Sequence, residues 1–192
     1  IMNSQMLFPN MSSSIMTQAD VTKQIVPIRT KVSLGGSYMH NEGSTMQNGI
    51  MMDYAGNSIV ISPSISSRPL DWLEFNYSGD LSRTVSEYKG TAKSYISRSH
   101  DISIRLSPVQ SLIFSASSEI NRKQLTDDVY KTMTLLDFGV SWKHKAWKLS
   151  LDLRNALDER EYSYTIYDSV NTFTYNYALR GREAVLTVVL TI

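Results

Sequence analysis

The sequence predicts an all-β chain that runs as an antiparallel up-and-down meander of about eight strands. Apolar and polar side chains alternate with a period of two from about residue 28 to the C-terminus, which is the pattern of strands with two different faces. The composition agrees, because the chain is rich in Ser, Thr and Tyr and only 19% of its residues are charged. No run approaches the roughly 18 consecutive apolar residues of a membrane helix.

Each predicted strand is marked by residues that share one face, mostly apolar ones. In chain order these are Val32, Leu34 and Tyr38; Ile59, Ile61 and Ile65; Leu73, Phe75, Tyr77 and Leu81; Ile102, Ile104 and Leu106; Leu112, Phe114, Ala116 and Ile120; Thr134, Leu136, Phe138, Val140 and Trp142; Trp147, Leu149, Leu151 and Leu153; and Leu186, Val188, Leu190 and Ile192. Residues 1–27 show no clear period and stay unassigned, as an incomplete strand or a loop.

Two kinds of connection divide the strands. Tight turns are predicted at 68–71, 108–110 and 145–146, and longer polar loops at 41–56, 87–94, 124–132 and 160–176. Tight turns that alternate with long loops are typical of an outer-membrane β-barrel, which has short periplasmic turns and longer external loops.

The positions of the charges favour a membrane barrel over a soluble β-sandwich, the competing fold. On the apolar faces, charged and His side chains fall close to strand ends, whereas the opposite faces carry charges well inside their strands. A charge at mid-depth on a lipid-facing surface costs about 2–4 kcal/mol, so a bilayer imposes this difference. The predicted strands of roughly 11–14 residues also exceed the 5–6 that are common in sandwiches.

The C-terminal part carries a motif that resembles a known family. Asn155, Leu157, Asp158 and Tyr162 follow an alternating strand, and Arg180-Gly181-Arg182 precedes the alternating stretch 183–192. This arrangement resembles the last strands of TonB-dependent outer-membrane receptors of a Bacteroidetes-like branch. Ile192 departs from the family, whose members usually end on an aromatic residue.

The resemblance implies a barrel of about 22 strands, closed by an N-terminal plug, of which residues 28–192 form the C-terminal part. It also implies a bacterial outer-membrane importer of a nutrient, such as a glycan, a peptide or a metal chelate. The implied partners are outer-membrane lipids, the plug and remaining strands, an energy-coupling inner-membrane complex and a surface lipoprotein. The alternative is a complete eight-strand barrel with a structural or adhesive role, followed by an outer-membrane hydrolase.

Two sets of residues are candidates for function. Polar-face charges are predicted to line the channel of an importer, or to form an ion-pair network inside a small barrel; the channel-lining candidates are Glu74, Asp101, Arg105, Asp152 and Arg154. Rings in the loop near 160–177 are candidates for holding an external ligand or partner, namely Tyr164, Tyr167 and Tyr175.

Catalytic and cofactor signals are poor, so we predict a non-enzymatic protein without a cofactor or metal. The chain has no Cys, and its three histidines are far apart in sequence. Asp127-Asp128 lacks the spacing of a calcium loop. The net charge of +1 gives no general case for nucleic acid as a partner.

Overall fold

A computed structural model describes residues 12–47, 50–88, 90–126, 129–167 and 172–191. Its strands in chain order are β1 (Ser12–Ile25), β2 (Thr30–Gln47), β3 (Ile50–Leu70), β4 (Leu73–Tyr88), β5 (Thr91–Val109), β6 (Leu112–Thr126), β7 (Val129–His144), β8 (Trp147–Arg154), β9 (Glu161–Tyr167), β10 (Thr172–Ala178) and β11 (Glu183–Leu190). A short 3₁₀ helix, Val26–Ile28, joins β1 to β2. The described residues include no helix long and apolar enough to cross a membrane.

Nine strands form one antiparallel sheet in the order β1-β2-β3-β4-β5-β6-β7-β8-β11, and β9 pairs with β10 in a separate hairpin. The all-β, up-and-down prediction is therefore confirmed, with nine strands in the main sheet instead of about eight. The added strand is β1, which lies in the segment that showed no clear period. In the described part of the chain β1 and β11 do not pair with each other, so this sheet is open.

The register keeps the two sets of side chains apart across the whole sheet. Phe138 on β7 lies opposite Ala116 on β6 and Leu153 on β8. Leu151 lies in the next row and faces Val140 and Leu186. Because side chains alternate along each strand, this register places most apolar residues of the strands on one surface. We call this surface the apolar face, and the opposite one, which carries Glu74 and Asp101, the polar face.

The apolar face is not covered by a second layer of protein in the described part of the chain. Leu34, Phe138 and Leu151 are 53%, 45% and 50% exposed. Among the described hydrophobic residues only Met52 and Met133 are buried, and no large side chain is fully buried. A sandwich would bury one of its faces against another sheet, so this single layer differs from the competing fold.

The prediction of long loops at 41–56, 87–94 and 124–132 is wrong. Strands β2 to β7 continue through most of these residues and form paired hairpin arms. Here both faces carry polar residues, so the strands have no apolar period although their backbones still pair. The predicted loop at 160–176 contains β9 and part of β10. Asp127-Asp128 and Ile192 lie outside the described residues.

The tight turns lie at one end of the sheet, which we call the turn end. Residues 71–72, 110–111 and 145–146 connect successive strands there, so the predicted turn at 145–146 is confirmed and those at 68–71 and 108–110 lie one to three residues further along the chain. Trp142 and Trp147 lie on the apolar face beside the last of these turns and are 41% and 48% exposed. The opposite end, where the hairpin arms of β2 to β7 finish, is called the hairpin end.

Candidate functional site on the polar face

Three of the five channel-lining candidates lie in one row across the polar face. Arg105 on β5 is directly opposite Glu74 on β4 and Ser115 on β6. The row continues through Gly139 on β7 to Asp152 on β8. It therefore presents a carboxylate, a guanidinium, a hydroxyl and a second carboxylate on four of five neighbouring strands.

Gly139 lets the polar groups on either side of it approach each other. A Cβ atom at this position would lie 2.5 Å from Oγ of Ser115 and 2.9 Å from Oδ1 of Asp152. Both distances are shorter than a normal contact, so any larger side chain would displace these two groups. The glycine thus keeps a hydroxyl and a carboxylate close together across β7.

Asp101 lies closer to the hairpin end, where the polar face is acidic. It is directly opposite Glu119 on β6 and Ser78 on β4. Like charges directly opposite each other disfavour the pairing of the two strands. A bound cation, or a solute that donates hydrogen bonds to both carboxylates, would therefore be stabilised here. Within the protein, Nδ2 of Asn121 donates to Oε1 of Glu119 at 2.7 Å.

Arg154 lies at the end of β8 and binds an acid outside the candidate set. Its Nη1 is 3.4 Å from Oε1 of Glu183 on β11. Arg105 is opposite Glu74 in register, yet among the described residues these two side chains form no ion pair within 4.0 Å. The ion-pair network proposed for the small-barrel alternative is therefore not formed in the described part of the chain.

Two adjoining clefts collect the candidate residues on the polar face. One of about 350 Å³ is lined by Glu74, Arg105, Asp152 and Arg154. The next, of about 460 Å³, is lined by Asp101 and Glu119, and both share serine and asparagine side chains such as Ser103. The arrangement offers many donors and acceptors to a hydrophilic solute. Among the described residues no group of three or more metal-ligating side chains comes together.

The tyrosine candidates lie on the β9–β10 hairpin, which is separate from the sheet that carries the polar face. Tyr164 pairs with Tyr175, and Tyr167 pairs with Thr172. Tyr175 is 40% exposed. The hairpin is tied to the main sheet where Nζ of Lys131 lies 3.2 Å from Oε1 of Glu161.

The histidines are not brought together by the fold. Nδ1 of His40 is 2.8 Å from Oδ1 of Asn57, and Nδ1 of His100 is 3.0 Å from the hydroxyl of Tyr77. His144 stacks on Trp142 with ring centroids 5.5 Å apart. Each histidine thus has its own neighbour on a different part of the sheet.

Asn155 organises the turn that follows β8. Its φ is 49°, a left-handed conformation that Asn tolerates better than most residues. Nδ2 donates to the carbonyls of Glu159 at 2.7 Å and Arg180 at 2.8 Å, and Oδ1 accepts from the N–H of Glu159 at 2.9 Å. The N–H of Asn155 in turn donates to Oδ1 of Asp137 at 2.7 Å. The motif thus joins the end of β8 to β7 and to the segment entering β11.

Asp158 forms the second half of this turn. Its Oδ1 accepts from the N–H of Arg182 at 2.7 Å, and its Oδ2 accepts from Nη2 of Arg160 at 2.9 Å. These donors hold the pKa of the Asp158 carboxyl below its ordinary value, the N–H of Arg182 having the larger effect. A Cβ at Gly181 would collide with the guanidinium of Arg160 and the carboxylate of Asp158.

In the sequence these residues stand out only through their resemblance to a family motif, which predicts no structural role for them. Comparison with protein-family models, curated proteins and solved structures found no match.

Proposed function

We propose that this chain forms part of the wall of an outer-membrane importer similar to TonB-dependent receptors. In this proposal the apolar face meets lipid and the polar face lines a path for a hydrophilic nutrient. The observation that carries it is the single-layered sheet of nine strands, whose apolar face is exposed while its other face holds charges at mid-strand.

The charge distribution supports a bilayer rather than water on the apolar side. The rows through Phe138 and Leu151 hold no charged residue from β4 to β8. In water an exposed apolar surface of this extent would promote association, whereas lipid is its natural solvent. On the other side, a wall that holds Glu74 and Arg105 in one row suits a solvated path.

The turn after β8 supports the family part of the proposal. Asn155 and Asp158 bind the segment around Arg180 and Arg182, which leads into the strand that pairs with β8. The motif therefore has a physical reason to recur wherever a penultimate strand must capture a final one across an intervening loop.

Site-directed spin labelling tests the orientation of both faces. The chain contains no Cys, so single Cys residues at 137, 138, 150 and 151 can carry the label in the full-length protein in lipid vesicles. Labels at Phe138→Cys and Leu151→Cys should be relaxed by oxygen, and labels at Asp137→Cys and Ser150→Cys by a water-soluble nickel chelate. Equal accessibility of the labels on the two faces to oxygen and to the nickel chelate would refute the membrane assignment.

Transport is tested separately in cells. Arg105→Ala and Asp152→Ala should reduce uptake of the nutrient while leaving the amount of protein in the outer membrane unchanged, since both side chains lie on the polar face. Normal uptake in the double variant would refute the hypothesis that the nutrient passes along the polar face.

A further inference from the structure

Three arginines interrupt the apolar face on neighbouring strands towards the hairpin end. Arg83 lies on β4, Arg98 on β5 and Arg122 on β6, and all three are exposed. Arg98 is directly opposite Arg122 in the register of β5 and β6. Like charges directly opposite each other destabilise a strand pair, so an anion beside these two guanidinium groups would stabilise the sheet.

The described residues beside the arginines do not supply that anion. On the apolar face of β4 to β7 the only carboxylate among the described residues is that of Glu87, four positions beyond Arg83 and thus about 13 Å away along the strand. Within the described part of the chain, Arg83 and Arg122 contact uncharged groups. Nε of Arg83 donates to Oγ of Ser94 at 3.2 Å, and Cζ of Arg122 lies 4.6 Å from the centroid of the Tyr130 ring.

The depth of the cluster agrees with the edge of a membrane. Leu112 on β6 is opposite Trp142 near the turn end, and Arg122 lies ten residues further along the same strand, at about 34 Å. With the strand tilt of 35–45° usual for such barrels, this is about 26 Å along the membrane normal, close to the roughly 25 Å of their apolar band. The arginines thus lie at the level of lipid headgroups.

An apolar cleft lies below the arginines on the same face. Its volume is about 340 Å³, and its lining includes Ile104, Phe114, Phe138 and Leu151. Ile104 is six residues from Arg98 on β5, about 20 Å along the strand. A lipid whose headgroup is held at the arginines would lay its acyl chains along this surface.

We propose that Arg83, Arg98 and Arg122 bind the phosphate groups of an anionic lipid in the leaflet at the hairpin end. Short turns mark the periplasmic side of outer-membrane barrels, so this is the external leaflet. Guanidinium groups are suited to the role because they bind phosphate oxygens through two parallel hydrogen bonds. The inference rests on the membrane orientation given under the proposed function, but not on what the protein transports.

Lipid binding to the full-length protein in detergent tests the site. Native mass spectrometry would compare diphosphorylated lipid A, the same lipid without its phosphates, and inorganic phosphate as a competitor. The phosphorylated lipid should bind at least about ten-fold more tightly than the dephosphorylated one, because charge-assisted hydrogen bonds are lost with the phosphates. The Arg98→Gln/Arg122→Gln double variant should lose this preference. Arg105→Gln, on the other face of the same strand as Arg98, should keep it.

Three results would overturn the proposal: no preference for the phosphorylated lipid in the unaltered protein, the same preference in the double variant, or displacement of the lipid by millimolar inorganic phosphate. If the Gln variant does not assemble, Arg98→Lys/Arg122→Lys keeps both charges, and it should weaken binding while retaining the preference. A spin label at Phe138→Cys separates the two hypotheses. If the label at position 138 contacts lipid but the protein does not prefer the phosphorylated lipid, the lipid site is refuted while the membrane assignment stands.

Discussion

The carboxylate of Asp158 accepts a hydrogen bond from the backbone N–H of Arg182 at 2.7 Å, which joins the end of the β8 turn to the start of β11. The β9–β10 hairpin lies between these two residues in sequence. β11 pairs with β8 along its whole length, from Glu183↔Arg154 to Leu190↔Trp147. The turn therefore fixes where the last strand enters the sheet, independently of what the intervening hairpin does.

Replacing Asn155 with Ala should destabilise this junction. The substitution removes two donated hydrogen bonds and one accepted one, all of them part-buried, at a cost of about 2–3 kcal/mol. Denaturant unfolding of the protein in lipid vesicles measures the change. Leu157→Ala, at a neighbouring position that is 52% exposed, should change stability by less than about 0.5 kcal/mol. Equal effects of the two substitutions would contradict the role of Asn155.

Gly181→Ala should be destabilising although the new side chain is small. Its Cβ would occupy the space of the Asp158–Arg160 ion pair and force both side chains away. Both groups are the ends of flexible side chains and can move aside, so the expected cost is that of the hydrogen bond from the N–H of Arg182 to Asp158, about 0.5–1.5 kcal/mol. Gly36→Ala is the matched control, because the nearest atom to a Cβ there is the carbonyl oxygen of Val60 at 4.0 Å. The same unfolding experiment should show the loss for Gly181 alone.

The junction should also weaken in acid. The pKa of Asp158 is lowered from its ordinary 3.8 by the N–H of Arg182 and the side chain of Arg160. A carboxyl whose folded pKa is depressed contributes stability that is present above the unfolded value and is lost as pH falls through the folded value. Stability should therefore decrease below about pH 4, and less steeply in Asp158→Asn. Parallel pH profiles for both proteins between pH 2 and 6 would exclude this contribution.

The alternating pattern was sufficient to predict the faces of the main sheet. Trp147, Leu149 and Leu151 alternate with polar residues, and the structure places all three on the apolar face of β8. This worked because one strongly apolar face leaves a period of two in the sequence. β1 was not predicted, because residues such as Met16 and Gln18 share a face and weaken its period.

The neighbours within the site could not be predicted from the sequence. Glu74 and Arg105 lie opposite each other only because the β4–β5 register sets them so. A shift of one residue would move either of them to the other face. The structural role of Asn155 could not be predicted from the pattern either, because the turn, and not any periodicity, brings its partners Glu159 and Arg180 together.

The two faces of β8 should differ in their tolerance of charge. Leu151→Arg places a guanidinium in lipid at a cost of about 2–4 kcal/mol near mid-depth, so it should reduce the amount of folded, heat-modifiable protein in the outer membrane. Phe138→Arg and Leu190→Arg should act in the same direction. Ser150→Arg is the control, because the adjacent position lies on the polar face. Similar yields for Leu151→Arg and Ser150→Arg would refute a lipid-facing surface.

The tyrosines of the β9–β10 hairpin should contribute to ligand capture and not to assembly. The hairpin forms its own two-stranded sheet, so Tyr164→Ala, Tyr167→Ala and Tyr175→Ala should leave the membrane sheet intact. Each ring that stacks on a ligand is worth about 1 kcal/mol, or roughly five-fold in affinity. Binding and uptake of a panel of glycans, peptides and metal chelates measure the effect, and the Tyr→Phe triple variant keeps the rings as a control. If the Ala triple variant binds and imports as well as the unaltered protein, the hairpin is a scaffold and the ligand contacts lie on the polar face alone.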